Sequence, residues 1–222
     1  MANQASKEIM MVRPRNFGFD QTTAASNSFQ NEEGADAVKE IRIKAIAEFD
    51  AAVAQLRAED IKVHVIEDSE APVKPNAVFP NNWVSFHGSK TILYPMLAEN
   101  RRWERRPEVL DQLKSEGVSI GDVIDLSEFE KKDKFLESTG SMVLDYENEL
   151  AYACLSSRTD MEVLEAFCNE TGFDAFTFDS FNKDGLAVYH TNVIMCIAAK
   201  YTVICLESIP EEQQATVIEA LE

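Results

Sequence analysis

The chain has 222 residues, 45% of them hydrophobic and 27% charged, and its 21 basic and 39 acidic side chains leave a net charge of −18. That is enough apolar material for one domain or two, and the acidity excludes nucleic acid and anionic membrane surfaces as general partners while tolerating a cationic small molecule. No apolar run approaches the ~20 residues that span a bilayer, the opening MANQASKEIMMVRP has no basic region leading into an apolar one, and the four cysteines lack CxxC spacing, so a cytoplasmic protein with free thiols, no metal and no cofactor is expected.

In chain order, the first elements are a strand in IMMVRP, a long loop over 16–30 carrying Phe17, Phe19 and Phe29, a helix over Ala35–Ala58 and a strand in IKVHVIE. The loop is a candidate cover for a pocket mouth or a segment packed on the fold. AVFPNNWVSFHGSKTILYPM then reads as a hairpin turning at Gly88-Ser89-Lys90. A helix over Arg106–Glu116 follows, stopped by Gly117, and then the strand DVIDLS. FLESTGSMVLDYENELAYACLSS repeats the pattern, with its turn at Asp145–Asn148, a helix over Asp160–Glu170 and the strand DAFTFDS. GLAVYHTNVIMCIAAKYTVICLESI opens a further copy, turning at Ala199-Lys200. Pro210 starts its helix, with Glu211 and Glu212 near the positive end.

The repeat of about 50–60 residues fits a ring of ββαβ modules rather than an ordinary solenoid. The chain ends inside the fourth helix, so the expectation is one α/β domain over residues 1–222 that is incomplete at its C-terminus.

Aligning the hairpins by their first strands puts FPNNW, LESTGS and YHTNV in register. Polar clusters at strand starts of a pseudo-symmetric ring converge near its axis, where a ligand pocket forms readily. Asn81, Asn82, Glu137, His190 and Asn192 then have the makings of an acid/base site: Glu and His exchange protons near neutral pH, and the amides orient a polar ligand. Each member has a blander account. A lone histidine at a strand start is more often structural, Asn81-Asn82 after Pro80 fits turn chemistry, and Glu137 fits a solvated bend. Recurrence at the same module position favours the site.

The stretches VRPRNFGFDQTTAASNSFQ, VFPNNWVSFH, LYPMLAENRRWERR, LESTGSMVLD, YACLSSRT and YHTNVIMCI give the chain a resemblance to the guanidino-group-modifying enzymes, the pentein or amidinotransferase superfamily. It is most like the bacterial amidinotransferase-like branch assigned to citrulline utilisation. The resemblance implies a five-module α/β propeller and a cysteine thiolate that attacks the carbon of a guanidinium or ureido group. It assigns His190 as general acid and base and Glu137 as the carboxylate that holds the substrate's terminal nitrogens and supports the histidine. Asn192 stands where deiminases have the aspartate of a His-x-Asp pair. His87 ends the segment in which they place an aspartate gripping the guanidinium, a departure that favours an uncharged ureido group over arginine itself.

In these relatives the nucleophile lies in the last module, and the chain's own cysteines are poor substitutes. Cys196 follows His190 by six residues, about 20 Å along a strand at ~3.3 Å per residue. Cys154 and Cys205 occupy equivalent second-strand positions that read as core, and Cys168 lies on a helix face beside Phe167. The chain as given is therefore expected to be inactive. Arg101, Arg102, Arg105 and Arg106 read as a salt-bridged surface patch or as a fork for a substrate carboxylate, and Arg158 carries the same two readings. The leading expectation is a C–N hydrolase of a guanidino or ureido amino acid, compatible with a homo-oligomer. An amidinotransferase and a non-catalytic ligand- or partner-binding protein are the alternatives.

Overall fold

The computed structural model describes residues 4–24 and 35–222; Phe29 of the long N-terminal loop lies outside them. The elements run β1 (Glu8–Arg13), α1 (Gln21–Ala24), α2 (Ala35–Ala58), β2 (Lys62–Glu67), β3 (Val84–His87), β4 (Lys90–Leu93), α3 (Pro107–Ser115), β5 (Asp122–Asp125), α4 (Ser138–Ser141), β6 (Val143–Asp145), β7 (Leu150–Cys154), α5 (Met161–Thr171), β8 (Asp174–Phe178), β9 (Met195–Ile197), β10 (Thr202–Ile204) and α6 (Glu211–Leu221). Among the described residues no helix is long and apolar enough to cross a membrane.

Two compact units make up the chain: Met1–Ala5 with Asn81–Leu97 and Gly121–Glu222, and Ser6–Pro80 with Ala98–Ile120. The first holds the repeated hairpins. β3 pairs antiparallel with β4 and β4 parallel with β5, and β6, β7 and β8 repeat the arrangement. β9 and β10 form a third antiparallel pair.

Local chemistry sets these boundaries. Gly88 turns the first hairpin at φ +58°, a conformation a side chain would strain. The Asp145 carboxylate closes the second by accepting from the backbone N–H groups of Glu147 and Asn148, at 2.9 and 3.0 Å, an Asx turn. Asp160 caps α5 by accepting from the Glu162 N–H, and Gly172 ends it in the left-handed region at φ +85°.

β7 explains why LAYAC is apolar throughout. Ala151 and Ala153 enter one core with Ile92, Tyr94, Leu136, Met142 and Phe167. Tyr152 and Cys154 point the other way, into a core with Val188, Met195, Ile209 and Val217. A strand between two neighbours and covered on both faces needs no polar alternation.

The third hairpin departs from the equivalence that placed Cys205 with Cys154. Cys154 is fully buried, whereas Cys205 and Cys196 are exposed. Among the described strands β10 pairs only with β9, and the hairpin face bearing Cys196, Tyr201 and Val203 is open, with Tyr201 and Val203 among the exposed large apolar residues.

In the second unit, β1 and β2 run parallel, with Met10 opposite His64. Phe49 and Val53 of α2 pack on Val63 with Ile9, Met11 and Val65 around them. The buried His64 ring bonds Glu8 through Nε2 at 2.7 Å and Glu116, just past α3, through Nδ1. Burial pulls its pKa down, and the hydrogen bonds to Glu116 and Glu8 outweigh that and raise it.

The arginine-rich stretch belongs to this unit. Arg101 and Glu104 are both buried and form a bidentate pair, Nε to Oε1 and Nη2 to Oε2, each at 2.9 Å. Arg106 donates to the Glu67 carbonyl at 3.1 Å. For these two arginines the observed bonds are ion pairing and capping of main-chain groups rather than a free surface fork.

Candidate active site

The three polar clusters do not begin strands. Pro80–Asn82, Ser138–Ser141 and Thr191–Val193 each fold as one short helical turn just before the first strand of a hairpin. Each turn buries some of its side chains, Asn82, Ser138, Ser141 and Thr191 among them, and leaves others such as Asn192 exposed. Runs of three or four residues carry no periodicity by which the sequence could announce such a turn.

Glu137 is completely buried, and its carboxylate is held from three sides. His190 Nε2 lies 2.9 Å from Oε2 and Arg158 Nη1 lies 3.2 Å from the same oxygen. The Leu97 N–H donates to Oε1 at 3.2 Å. The guanidinium and the amide both stabilise the ionised form. An ionised carboxylate only accepts, so Nε2 carries a hydrogen and donates it to Glu137. That bond fixes the orientation of the ring, as an acid/base histidine requires.

The backbone aims this carboxylate. Ser138, directly after Glu137, takes a left-handed φ of +43°, which is costly for a residue with a Cβ. The Ser141 hydroxyl accepts from the Glu137 N–H at 2.9 Å and donates to the Arg158 carbonyl at 2.6 Å. The Arg158 guanidinium lies 5.0 Å from the centre of the Tyr189 ring, a cation–π contact, and the Tyr189 ring itself lies 4.9 Å from that of His190.

Gly140 forms the floor beneath the histidine. A Cβ built there would sit 2.7 Å from His190 Cε1, 2.8 Å from His190 Nδ1 and 2.9 Å from Asn82 Oδ1. The Cε1–Nδ1 edge of the imidazole and the buried Asn82 amide thus both pack against one glycine. Glu137, His190, Arg158 and Asn82 come together here. Asn81 contributes its carbonyl, which accepts from the Thr139 hydroxyl at 3.3 Å. Asn192 is exposed on the turn after His190.

His87 is placed apart from this cluster. As the last residue of β3 its ring meets Phe167 edge-on at 5.4 Å, Phe173 at 6.2 Å and Tyr146 at 6.4 Å. Nε2 bonds the Ser85 hydroxyl at 2.7 Å, and Nδ1 is buried without a hydrogen-bond partner. Burial holds its pKa down at about 4, against an ordinary 6.5, so the ring is neutral near pH 7. The unfolded chain binds the proton more readily between those values. The His87 contribution is therefore complete above about pH 6.5 and is lost as pH falls towards 4, by roughly 3 kcal/mol. Urea titrations at pH 7 and pH 4 should show His87→Phe losing that much less on acidification than the parent chain. Parallel losses would contradict the burial argument.

The cysteines are held elsewhere. The Cys154 thiol lies 3.6 Å from the Val188 carbonyl and 3.4 Å from the Thr191 hydroxyl, and burial raises its pKa. Burial pushes Cys168 up to about 11. Cys205 faces Glu207 at 3.6 Å. Low-pKa thiolate character, the mark of a nucleophilic cysteine, is absent from both Cys154 and Cys168.

Gly140, Ser141, Thr191 and the Arg158–Glu137 contact were missed in the sequence. The signal was present in part: the second turn reads S-T-G-S against H-T-N in the third, with small or hydroxyl-bearing residues where the turns pack.

Comparison with known proteins adds a family. The family model described as N,N dimethylarginine dimethylhydrolase, eukaryotic, matches residues 13–222. No curated protein sequence gives a significant match. Among solved structures, a substrate-bound mutant of the N-terminal domain of ArgZ, an arginine dihydrolase of the ornithine–ammonia cycle in cyanobacteria, has a TM-score of 0.72 at 16% identity, over 96% of this chain and 72% of that one. The ternary complex of AgrE with ornithine and NAD+ scores 0.72 at 16% identity, over 96% of this chain but 29% of that chain. A dimethylarginine dimethylaminohydrolase mutant, as its adduct with S-methyl-L-thiocitrulline, scores 0.53 at 15% identity, over 82% and 63%. At these identities the structural likeness speaks to fold. The chain spans 72% of the ArgZ domain and 29% of the AgrE chain.

Proposed function

Since this chain belongs to the family described as N,N dimethylarginine dimethylhydrolase, eukaryotic, we propose that it is the acid/base and substrate-holding part of a cysteine-dependent C–N hydrolase acting on a guanidino or ureido amino acid. The hairpin modules are read as members of a five-module propeller. The observation that carries the functional reading is the buried Glu137–His190 pair at 2.9 Å, with Asn82 Oδ1 and His190 Nδ1 brought together against Gly140.

In this reading His190 Nδ1 takes the proton of a cysteine thiol, and the resulting thiolate attacks the guanidino carbon, forming a C–S bond. The C–N bond to the departing amine breaks, and His190 delivers that amine its proton from Nδ1. His190 Nδ1 then takes a proton from water, whose oxygen bonds the same carbon as the C–S bond breaks. The product is the ureido or carbamoyl compound plus the amine. Glu137 stabilises the imidazolium that precedes the first transfer and follows the second, and keeps Nε2–H in place. Asn82 supplies a neutral acceptor for a substrate N–H, which suits an uncharged ureido group as well as a guanidinium. Arg158 lies buried at the carboxylate, where its role is to hold Glu137 rather than to form a free fork for a substrate carboxylate.

The covalent step needs a thiolate; burial raises the pKa of Cys154 and Cys168, and Cys196 and Cys205 lie exposed on the third hairpin and just past it. The 222-residue chain is accordingly expected to bind ligand and not to turn it over. Ammonia and ornithine release from arginine and citrulline should stay at background, while calorimetry detects binding that His190→Ala and Glu137→Gln each weaken. Robust turnover surviving replacement of all four cysteines would defeat the proposal, and so would binding indifferent to both substitutions.

A further inference from the structure

The histidine of the site and its carboxylate come from different hairpin modules, 53 residues apart in sequence. Something must fix one turn against the other to within a hydrogen bond. Thr191 follows His190 directly and is completely buried. Its hydroxyl donates to the Ser141 carbonyl at 2.5 Å and accepts from the Cys154 N–H at 2.8 Å. Ser141 ends the turn that begins at Glu137, and its own hydroxyl holds the Glu137 N–H. Cys154 ends β7, the central strand of the same module. One threonine hydroxyl thus spans from the turn carrying the histidine to both the turn carrying the carboxylate and the strand behind it.

We propose that Thr191 is a positioning residue whose hydroxyl sets the distance and tautomer of His190 against Glu137. The proposal rests on reading that pair as the acid/base of the site, but the geometry it predicts is measurable without catalysis. A buried threonine that only filled space would keep its effect in valine, which has nearly the same shape. Here valine would leave the Cys154 N–H and the Ser141 carbonyl without the hydroxyl that joins them, and such buried groups draw the chain toward other partners. The two turns would part, and Nε2–H would lose its aim at Oε2.

The chain has three histidines, so long-range 1H–15N spectra resolve each ring and report which nitrogen carries the hydrogen. His190→Gln assigns the His190 signals. In the parent chain His190 is expected as the Nε2–H tautomer. Thr191→Val should lose that signature and resemble Glu137→Gln, Thr191→Ser should restore it, and the His87 signals of the same unit should stay unmoved throughout. His190 signals unchanged in Thr191→Val would overturn the proposal. So would loss of dispersion for His87 as well, which would make the hydroxyl a general stabiliser, or failure of Thr191→Ser to restore the signature. A chain that keeps the signature yet binds neither arginine nor citrulline would refute the proposed function and leave the role of Thr191 standing.

Discussion

Glu137→Ala is expected to lower stability by about 3–5 kcal/mol, the cost of removing one member of a buried ion pair. Glu137 is wholly buried, and the Arg158 side chain is 3% exposed, so water cannot take over solvation of the cation when the carboxylate goes. His190 loses its acceptor in the same change, a charged hydrogen bond worth roughly 1.5–3 kcal/mol. Cavity formation adds to the loss. Better helix propensity of alanine does not offset it, because Glu137 precedes α4 rather than lying within it. A double-mutant cycle separates these contributions. Arg158→Met removes the cation while keeping much of its bulk, and the double variant Glu137→Ala/Arg158→Met should be less destabilised than the sum of the singles by about 0.5–3 kcal/mol. Urea unfolding monitored by circular dichroism supplies all four corners. A Glu137→Ala chain within about 1 kcal/mol of the parent, or strict additivity, would mean that the carboxylate is not the electrostatic centre of this unit.

Most of the framework could be read from the residues because its signals are local and repeated. The hairpins around Gly88, Asp145 and Ala199, the helix after Asp160 and the strands DVID and DAFTF all form where period and turn chemistry place them. The proximity of His190 and Glu137 was legible as well, since their clusters recur at one module position, and the structure brings the two side chains to 2.9 Å. What local sequence could not give is which neighbours are covered. Cys154 and Cys205 sit at equivalent points of hairpins with similar sequences, yet β7 lies between two strands and β10 beside one, so one thiol is core and the other is exposed. His87 shows the same limit from the other side. The resemblance singled it out as ending the segment where deiminases carry an aspartate, but the strand ends where Phe167, Phe173 and Tyr146 surround the ring.

Pairwise contacts between turns were illegible for a related reason. The Arg158–Glu137 ion pair and the Thr191–Ser141 bond join residues 21 and 50 positions apart. Neither spacing matches a helical or strand period; the first depends on how one module closes on itself and the second on how two modules are stacked. Hydroxyl and glycine side chains are common in turns for their own local reasons. Their presence in STGS and HTN therefore pointed to turn formation before it pointed to the packing of one turn on another.

Gly140→Ala is the second substitution expected to act strongly, and it acts without removing any polar group. The added methyl would lie 2.7–2.9 Å from His190 Cε1, His190 Nδ1 and Asn82 Oδ1, closer than carbon atoms pack in proteins. Relief requires His190 to swing from Glu137 or Asn82 to leave its buried position, and both are enclosed. Two effects compete. Alanine favours a helical turn over glycine by up to about 1 kcal/mol, while overpacking a filled interior costs about 1–3 kcal/mol. α4 is a single turn of four residues, so propensity counts for little and the clash prevails. The larger consequence is at the ligand. The methyl displaces His190 or Asn82 from its place in the proposed site, so affinity for citrulline and arginine should fall at least about tenfold, equivalent to ~1.4 kcal/mol, beyond any change in stability. Calorimetric titration of the variant at a temperature where it is fully folded isolates that term. Gly140→Ser places a similar bulk with a hydroxyl in the same spot and should bind no better. Undiminished binding by both variants, with the parent's thermal stability, would show that the space above Gly140 is not where the ligand lies.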